Sequence, residues 1–303
     1  MIGDFKRFDM KLPPLRQKHY LRPITWGLSF IGILKHKAKI KRVDMEGIKP
    51  PYLLLCNHNS FLDFKVMTAA IFPHRANYVV AIDGFIKREW LMRLVGCICT
   101  RKFTNDIMLV KNMLHAISQG DIVVLYPEAR YSLCGTNAVL PTSLGKLIKK
   151  MNVPVVTLIM HGHHVNSPFW NTKNRGVKPI EAELKLLYTP EQISELTVDE
   201  INEGLDQAFQ YDDFRWQKEK GIHITYPHRA KGLHKVLYQC PHCLTEYEMD
   251  SKGEAIWCNH CGKKWIMTTL GELKAEEGET EFSHIPDWYE WERNNVRKEI
   301  EAG

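Results

Sequence analysis

The sequence predicts a layered α/β domain, built on a mixed, largely parallel sheet of about seven strands flanked by helices, with a small four-cysteine module behind it. Three observations carry this. Seven short β-rich runs are separated in several places by helical patterns. The more buried of these runs are apolar without a break, as strands covered on both faces are. Four of the eight cysteines stand in two tight pairs near the C-terminal end, a spacing that suits a metal site better than a disulfide framework and fits a reducing compartment.

The strand runs are 38-AKIKRVDM-45, 52-YLLLC-56, 77-NYVVAI-82, 97-CICTR-101, 121-DIVVLYP-127, 153-VPVVTLIM-160 and 182-AELKLLY-188. Helical patterns occupy 60–72, 86–95, 105–118, 142–151 and 197–209, and Gly120 suits a helix C-cap. Residues 211–235 are polar and aromatic without clear periodicity, and read as a linker or a strap along the main domain. The cysteine module spans 236–268. The tail, 269–303, is acidic: residues 272–303 carry ten Asp/Glu against four Lys/Arg, and 286–300 has a helical pattern opening at a proline. The division expected is therefore 1–44 as an N-terminal docking segment, 45–210 as the main domain, then strap, ribbon and tail.

Charge is unevenly placed. Residues 1–43 hold eleven Lys/Arg against Asp4 and Asp9, a net of +9 in a chain whose formal total is +6. A basic end on a near-neutral body suits an anionic surface, lipid or nucleic acid. The stretch 24-ITWGLSFIGIL-34 is apolar nearly all round and flanked by Arg16, Lys18, Arg22, Lys35, Lys37 and Lys39. At eleven residues it is too short to span a bilayer, which takes about 20, but it suits the interface, with Trp26, Phe30 and Ile31 inserted. The competing reading is a helix packed on the core. The opening MIGDFKRFDMK has no apolar h-region.

The sequence 57-NHNSFLD-63 follows the second strand run. Residues five apart inside a helix lie about 140° away from each other around its axis. His58 and Asp63 can therefore meet only if His58 sits on the turn and folds back over the first turn. Asp63 would then receive an imidazole N–H and leave the other ring nitrogen free as a base. The plain alternative is that Ser60 and Asp63 form a capping-box variant and His58 is a turn residue.

With that block in place the chain resembles the glycerolipid acyltransferase family, of the lysophosphatidic acid acyltransferase type. Asn57-His58-x-x-x-x-Asp63 is similar to its first block. Residues 86–102, with Gly96 and Arg101 or Lys102, are similar to its second. 126-YPEARYS-132 is similar to its third, and 153-VPVVTL-158 to its fourth. The resemblance covers about residues 45–190. It implies acyl transfer from a thioester donor, acyl-CoA or acyl-carrier protein, to a hydroxyl of a lysophospholipid such as 1-acylglycerol 3-phosphate, in phospholipid synthesis. His58 would be the base and Asp63 its orienter. Arg101, Lys102 and Arg130 would hold a phosphate, with Asn57, Gly96 and Glu128 counted among the substrate-binding residues. Glu128 would take an acceptor hydroxyl or anchor its loop. The third block departs from the family pattern: Ala129 stands at the family glycine, and Tyr131 at the family arginine, with Arg130 one place early.

The paired cysteines, 240-CPHC-243 and 258-CNHCG-262, enclose fourteen residues. Cys240, Cys243, Cys258 and Cys261 at this spacing resemble a zinc ribbon, with zinc in a closed, structural four-thiolate site and His242 and His260 outside it. The run 161-HGHH-164 has no helical i, i+4 spacing and no nearby carboxylate in sequence, and reads as a pocket-rim loop rather than a metal site. Two further functions stay open: acylation of another lipid or an amino-lipid alcohol, and a zinc-ribbon binding or scaffold protein with a vestigial acyltransferase domain. A nucleic-acid ribbon should be basic, whereas the tail after this one is acidic, which points away from nucleic acid. The expected setting is cytoplasmic, peripheral on the inner face of the cell membrane, with anionic lipids and an acyl donor as partners.

Overall fold

The structure, a computed structural model, describes residues 9–101, 104 and 106–303. In chain order the main domain contains α1 (Arg22–His36), β1 (Lys39–Val43), β2 (Leu53–Cys56), α2 (Leu62–Ala70), β3 (Ala76–Ala81), α3 (Glu89–Val95), β4 (Cys97–Thr100), α4 (Ile107–Ser118), β5 (Ile122–Leu125), α5 (Ser143–Met151), β6 (Val155–His161), α6 (His163–Asn166), β7 (Glu181–Tyr188), α7 (Pro190–Glu195), α8 (Val198–Ala208) and α9 (Asp213–Glu219). The C-terminal part follows with β8 (Met249–Lys252), β9 (Ala255–Cys258), β10 (Lys264–Met267), β11 (Leu273–Ala275) and α10 (Ile285–Ala302).

Every strand run read from the sequence is a strand of one seven-stranded sheet, in the order β1-β7-β6-β2-β5-β3-β4. The pairs β2–β6, β2–β5, β5–β3 and β3–β4 are parallel, while β7 runs against β6 and carries β1 with it. β2 is the middle strand of the seven and is buried on both faces. Its Leu53 and Leu55 point to one core and Leu54 and Cys56 to the other, as the two-residue period of a strand requires. α4, α5, α7 and α8 cover the first face, through Met113, Ile148, Ile193 and Leu205. α2, α9 and the C-terminal module cover the second. α7 was not expected. Its start is a capping box, Thr189 with Gln192, that the sequence did display.

Residues 211–235 contain α9, whose Asp213, Phe214 and Trp216 are buried. The C-terminal module packs into the same apolar cluster as the sheet, with Trp265 and Trp288 fully buried at a ring separation of 5.0 Å. Backbone and side-chain bonds lock it there. Ile224 N–H donates to Thr269 O at 2.8 Å, Arg229 Nε to Met267 O at 2.6 Å, and Lys218 pairs with Glu272 at 2.6 Å.

α1 packs antiparallel against α2. Trp26 and Phe30 meet Phe72 edge-on at 5.0 and 5.3 Å, beyond the C-terminal end of α2, and a Cβ on Gly32 would touch the Lys65 stem. The stripe left outside is Ile24, Leu28, Ile31 and Leu34, all more than half exposed. Of Trp26, Phe30 and Ile31, the residues expected at a membrane interface, Ile31 belongs to the outer stripe, while Trp26 and Phe30 lie edge-on to Phe72, with Phe30 and Phe72 still exposed. The structure corrects one expected cation. Arg16 is held by Asp121 through a bidentate pair at 2.8 and 2.9 Å, a carboxylate it shares with Arg75 at 2.6 Å, so its guanidinium is engaged within the fold. No helix among the described residues is long and apolar enough to cross a membrane.

Candidate active site

The five strands that share one direction send their carboxyl ends to one edge of the sheet. Ligands of open α/β sheets gather at that edge. Because β2 lies between β5 and β6, the loops after β2, β5 and β6 converge there, although residues from 57 to 164 separate them in sequence.

His58 leaves β2 on the turn before α2 and folds back over it. Its Nδ1 lies 3.0 Å from Asp63 Oδ2. The same oxygen accepts the backbone N–H groups of Asn59 at 2.6 Å and Ser60 at 3.0 Å. The capping and orienting readings of Asp63 are thus both realised on one oxygen. Helix α2 begins at Leu62, so Asp63 stands in its first turn. Ser60 Oγ accepts from Leu62 N–H at 3.2 Å.

The second oxygen of Asp63 has a partner the sequence did not reveal. His163 Nδ1 lies 2.6 Å from Oδ1, and both residues are fully buried. The pocket-rim placement expected for 161-HGHH-164 is therefore corrected at His163 and His164, which have no exposed surface. The carboxylate partner missing nearby in sequence is Asp63, one hundred residues away. Burial alone would raise the Asp63 pKa. Hydrogen bonds from His163 and then His58 outweigh it and hold the carboxyl at about 2. An ionised carboxylate only accepts, so each histidine presents an Nδ1–H to it and keeps Nε2 unprotonated in the neutral ring. For His58, whose side chain is 23% exposed, that nitrogen is the free base.

The 161–164 turn is itself pinned from α9. Asp213 accepts Gly162 N–H at 3.0 Å and His164 N–H at 2.8 Å. Gly162 has φ +84, and a Cβ there would strike Trp216 at 2.8 Å, so this turn requires glycine. Burial lowers the His164 pKa to about 4, against the pull of Asp213, so this ring stays neutral.

The β5 loop closes over His58. Tyr126 and Tyr131 flank its ring with centroids 4.2 and 4.0 Å away, and Ser132 N–H donates to His58 O at 2.7 Å. The residue at the family arginine position is thus an aromatic wall of the base. Glu128 is buried and spends both oxygens on the loops: Oε2 accepts His58 N–H at 3.1 Å and Oε1 accepts Ala138 N–H at 3.0 Å, with Tyr211 Oη at 3.5 Å. Burial pushes its pKa up to about 7, opposed by those two backbone bonds. It is the loop-anchoring reading of Glu128 that this geometry displays. Ala129, at the family glycine position, has φ +55, a left-handed conformation that costs an L-residue about 1–2 kcal/mol. Ala129→Gly should therefore raise stability, by about 0.5–1 kcal/mol, read as a higher melting temperature with the loop's contacts unchanged. A lower one would show that the left-handed backbone there is not strained.

Other expected substrate-binding residues lie elsewhere. Asn57 is fully buried, and its amide is spent on Met160, donating to its O and accepting its N–H, both at 2.9 Å. It stitches β2 to β6 and has no polar atom left for a substrate. Gly96, with φ +93, turns the chain from α3 into β4. It sits at the amino edge of the sheet, about 13 Å below the edge that carries His58. Arg101 follows β4 at the carboxyl edge and pairs with Asp106 at 3.3 Å. β4 lies three strands from β2, roughly 14 Å away. Arg130 is exposed on the β5 loop beside Tyr289 of α10. Lys102 lies outside the described residues.

A second constellation stands in the C-terminal module. The four thiols of Cys240, Cys243, Cys258 and Cys261 all lie within 4.8 Å of one another. Cys240 and Cys261 are 3.8 Å apart, and Cys243 and Cys258 3.7 Å. Four sulfurs about 2.3 Å from a central zinc would be about 3.8 Å apart at tetrahedral angles, whereas a disulfide needs about 2.05 Å. The donor set fits one tetrahedral ion. His242 and His260 are not part of it; His242 faces Glu281 at 3.2 Å.

The fold and the His58–Asp63 pair at its carboxyl edge define an α/β domain equipped for general-base group transfer. Residues 34–161 match the family model described as Acyltransferase, so this part of the chain is similar to that family. Among solved structures it is similar to the 1-acyl-sn-glycerophosphate (LPA) acyltransferase PlsC from Thermotoga maritima, with 13% identity and a TM-score of 0.49 over 63% of this chain and 77% of that one. No curated protein matches.

Proposed function

We propose that the protein acylates a lysophospholipid, such as 1-acylglycerol 3-phosphate, using a thioester donor, at the inner face of the cell membrane. The observation that supports this best is the exposed edge of His58, with Nδ1 committed to Asp63 and Nε2 free. In the reaction Nε2 takes the proton of the acceptor hydroxyl as its oxygen bonds to the thioester carbonyl carbon. The C–S bond then breaks, and the departing thiolate takes the proton from His58. Asp63 stabilises the imidazolium between these events. Arg130, Arg101 and Lys102 are the cations proposed for the acceptor phosphate. Acyl-CoA and acyl-carrier protein both supply the required thioester. The four-thiolate site is proposed to hold a structural zinc ion, because four protein ligands leave no open position. The decisive experiment offers lysolipid acceptors of different headgroup, with a labelled acyl-CoA or acyl-carrier protein, to the purified protein. Transfer to none of them would overturn the proposal.

One observation favours a second reading. Tyr131 packs against His58, its ring tilted by 36°, where the family pattern has arginine, which suits another lysolipid or amino-lipid acceptor with less phosphate charge to match. The acceptor scan separates the two.

The membrane reading is supported by α1. Its outer stripe of Ile24, Leu28, Ile31 and Leu34 is bordered by exposed Lys35, Lys37 and Lys39. Because α1 and α2 are antiparallel, the Leu34 end lies level with the start of α2, where Phe61 is 75% exposed next to the His58 turn. A single-chain lipid could pass from the bilayer to the base along this side. Each exposed cation near an anionic surface is worth about 1 kcal/mol. Binding to anionic vesicles should fall as salt rises, with a remainder from the apolar stripe. Reversing Lys35, Lys37 and Lys39 to Glu should reduce activity on vesicles more than on detergent-dispersed acceptor. Equal loss on both would remove the docking role.

A further inference from the structure

We propose that His163 is a positioning residue for the acyl transfer, acting through Asp63 on the orientation and basicity of His58. This rests on the acyltransferase reading of His58 given above. The Asp63 carboxylate is divided between two rings. Oδ2 takes His58 and the Asn59 and Ser60 N–H groups, while Oδ1 takes His163 at 2.6 Å. Both Asp63 and His163 are fully buried, so water cannot replace the His163 ring.

The far nitrogen of His163 argues that the residue is not there to fill space. Nε2 is buried and has no hydrogen-bond partner. A buried polar atom left unpaired costs about 1–3 kcal/mol, and a phenylalanine or leucine would fill a fully buried position without that cost. The ring's polar engagement is with Asp63. It is held to this task from outside the catalytic loop, because Asp213 of α9 fixes the 162 and 164 backbone on either side of it. Local cost carried by a residue that touches a reacting group's partner is the pattern of a functional site.

Two consequences follow. Donation into Oδ1 fixes the rotation of the Asp63 carboxylate, so that Oδ2 stays aimed at His58. It also draws charge away from Oδ2, which weakens the hold of Asp63 on the His58 imidazolium. A base that holds its proton less tightly returns it to the leaving thiolate more readily. Without His163 the charge collects on the oxygen facing His58, and the pH at which His58 loses its proton should rise.

The other groups facing this pair are accounted for. From the β5 loop come Tyr126, Tyr131 and Glu128, and from β2 comes Cys56. Tyr211 approaches through Asn59 and Glu128, while His164 and Asp213 come from the 161–164 turn and α9. Burial keeps the three tyrosines and the cysteine neutral in the working range. Glu128 titrates near 7, in the window of interest, so the titration must be read at His58 itself.

The test uses the full chain. His163→Phe keeps a ring but removes the donor, and His163→Asn restores an N–H near the Nδ1 position. In His163→Phe, kcat/KM should fall about tenfold or more, part of the 10²–10⁴ that a positioned base supplies. The acid limb of its pH profile should move upward, and the Asn variant should recover most of both. In parallel, NMR titration of the labelled His58 ring, which needs no substrate, should show the same upward shift. If the Phe variant does not fold, His163→Leu, which also lacks a donor, is read at His58 in its place, and a titration identical to wild type would overturn the proposal. A folded Phe variant with unmoved His58 titration overturns it, including when activity drops through lost stability. An upward NMR shift in a protein that transfers no acyl group would uphold the shared carboxylate and reject the acyltransferase reading.

Discussion

His58→Ala should abolish acyl transfer and leave the fold in place. The ring packs between Tyr126 and Tyr131 and its loss should cost some stability, but Asp63 keeps three other donors, so the fold should persist. The rate should fall by the whole of the base's contribution, about 10²–10⁴. Asp63→Asn is the sharper variant. An amide still offers one oxygen but turns an N–H toward one of its present donors, and Asp63 receives four: two imidazoles and two backbone N–H groups. It should therefore lower turnover, and lower the melting temperature further than His58→Ala does. The wild-type carboxyl, held at about 2, stays ionised across neutral pH. A carboxyl with a depressed folded-state pKa contributes stability that is present above its unfolded pKa, near 3.8. That stability is lost as pH falls toward 2. The Asn variant should lack this acid-side loss. If it loses stability but keeps wild-type turnover, Asp63 serves the turn alone and the mechanism is wrong.

Loss of the metal should have the second large effect. Freshly purified protein should contain about one zinc-type ion per chain, and Cys243→Ser or Cys258→Ser should release it. Residues 236–268 are too few to hold a core without an ion, and structural zinc contributes about 10–16 kcal/mol to the folding of isolated fingers. Unfolding of this module should not stay local to it. Trp288 of α10 donates to Gln239 O at 3.0 Å, and Glu292 accepts Gln239 N–H at 2.9 Å, beside the ligand Cys240. Trp265 and Trp288 belong to the cluster that covers the sheet. Chelation should therefore lower the melting temperature of the whole chain by roughly 10 °C or more, with loss of Trp fluorescence anisotropy from the module. Metal content well below one per chain, or an unshifted melt after chelation, would remove the assignment.

Much of this was written locally. The β strands announced themselves because buried parallel strands must be apolar throughout. The four cysteines did so because two knuckles need fixed spacing. His58 and Asp63 were legible because both lie on one turn, within five residues. Helix α1 was legible as an apolar segment, but not its outward face. Which of its residues pack depends on α2 and Phe72, and these drew Trp26 and Phe30 against Phe72 while leaving Ile24, Leu28, Ile31 and Leu34 more exposed.

The remainder was decided by strand order. β2 takes its place between β5 and β6 through hydrogen bonds that carry no trace in the sequence of any one strand. That order brings His163 to Asp63 across one hundred residues, lays Tyr131 on His58, and gives the Asn57 amide to Met160. It also sends Gly96 to the far edge of the sheet. A side-chain bond between distant loops has no period and no spacing, only two residues whose polarity is unexplained where they stand. The histidine run 161-HGHH-164, without a partner in its own neighbourhood, was such a place. The sequence determined the sheet, the His58–Asp63 pair and the four-cysteine cluster. Only the tertiary structure decided what holds the base, because a buried carboxylate is satisfied by whatever donors the fold brings within about 3 Å.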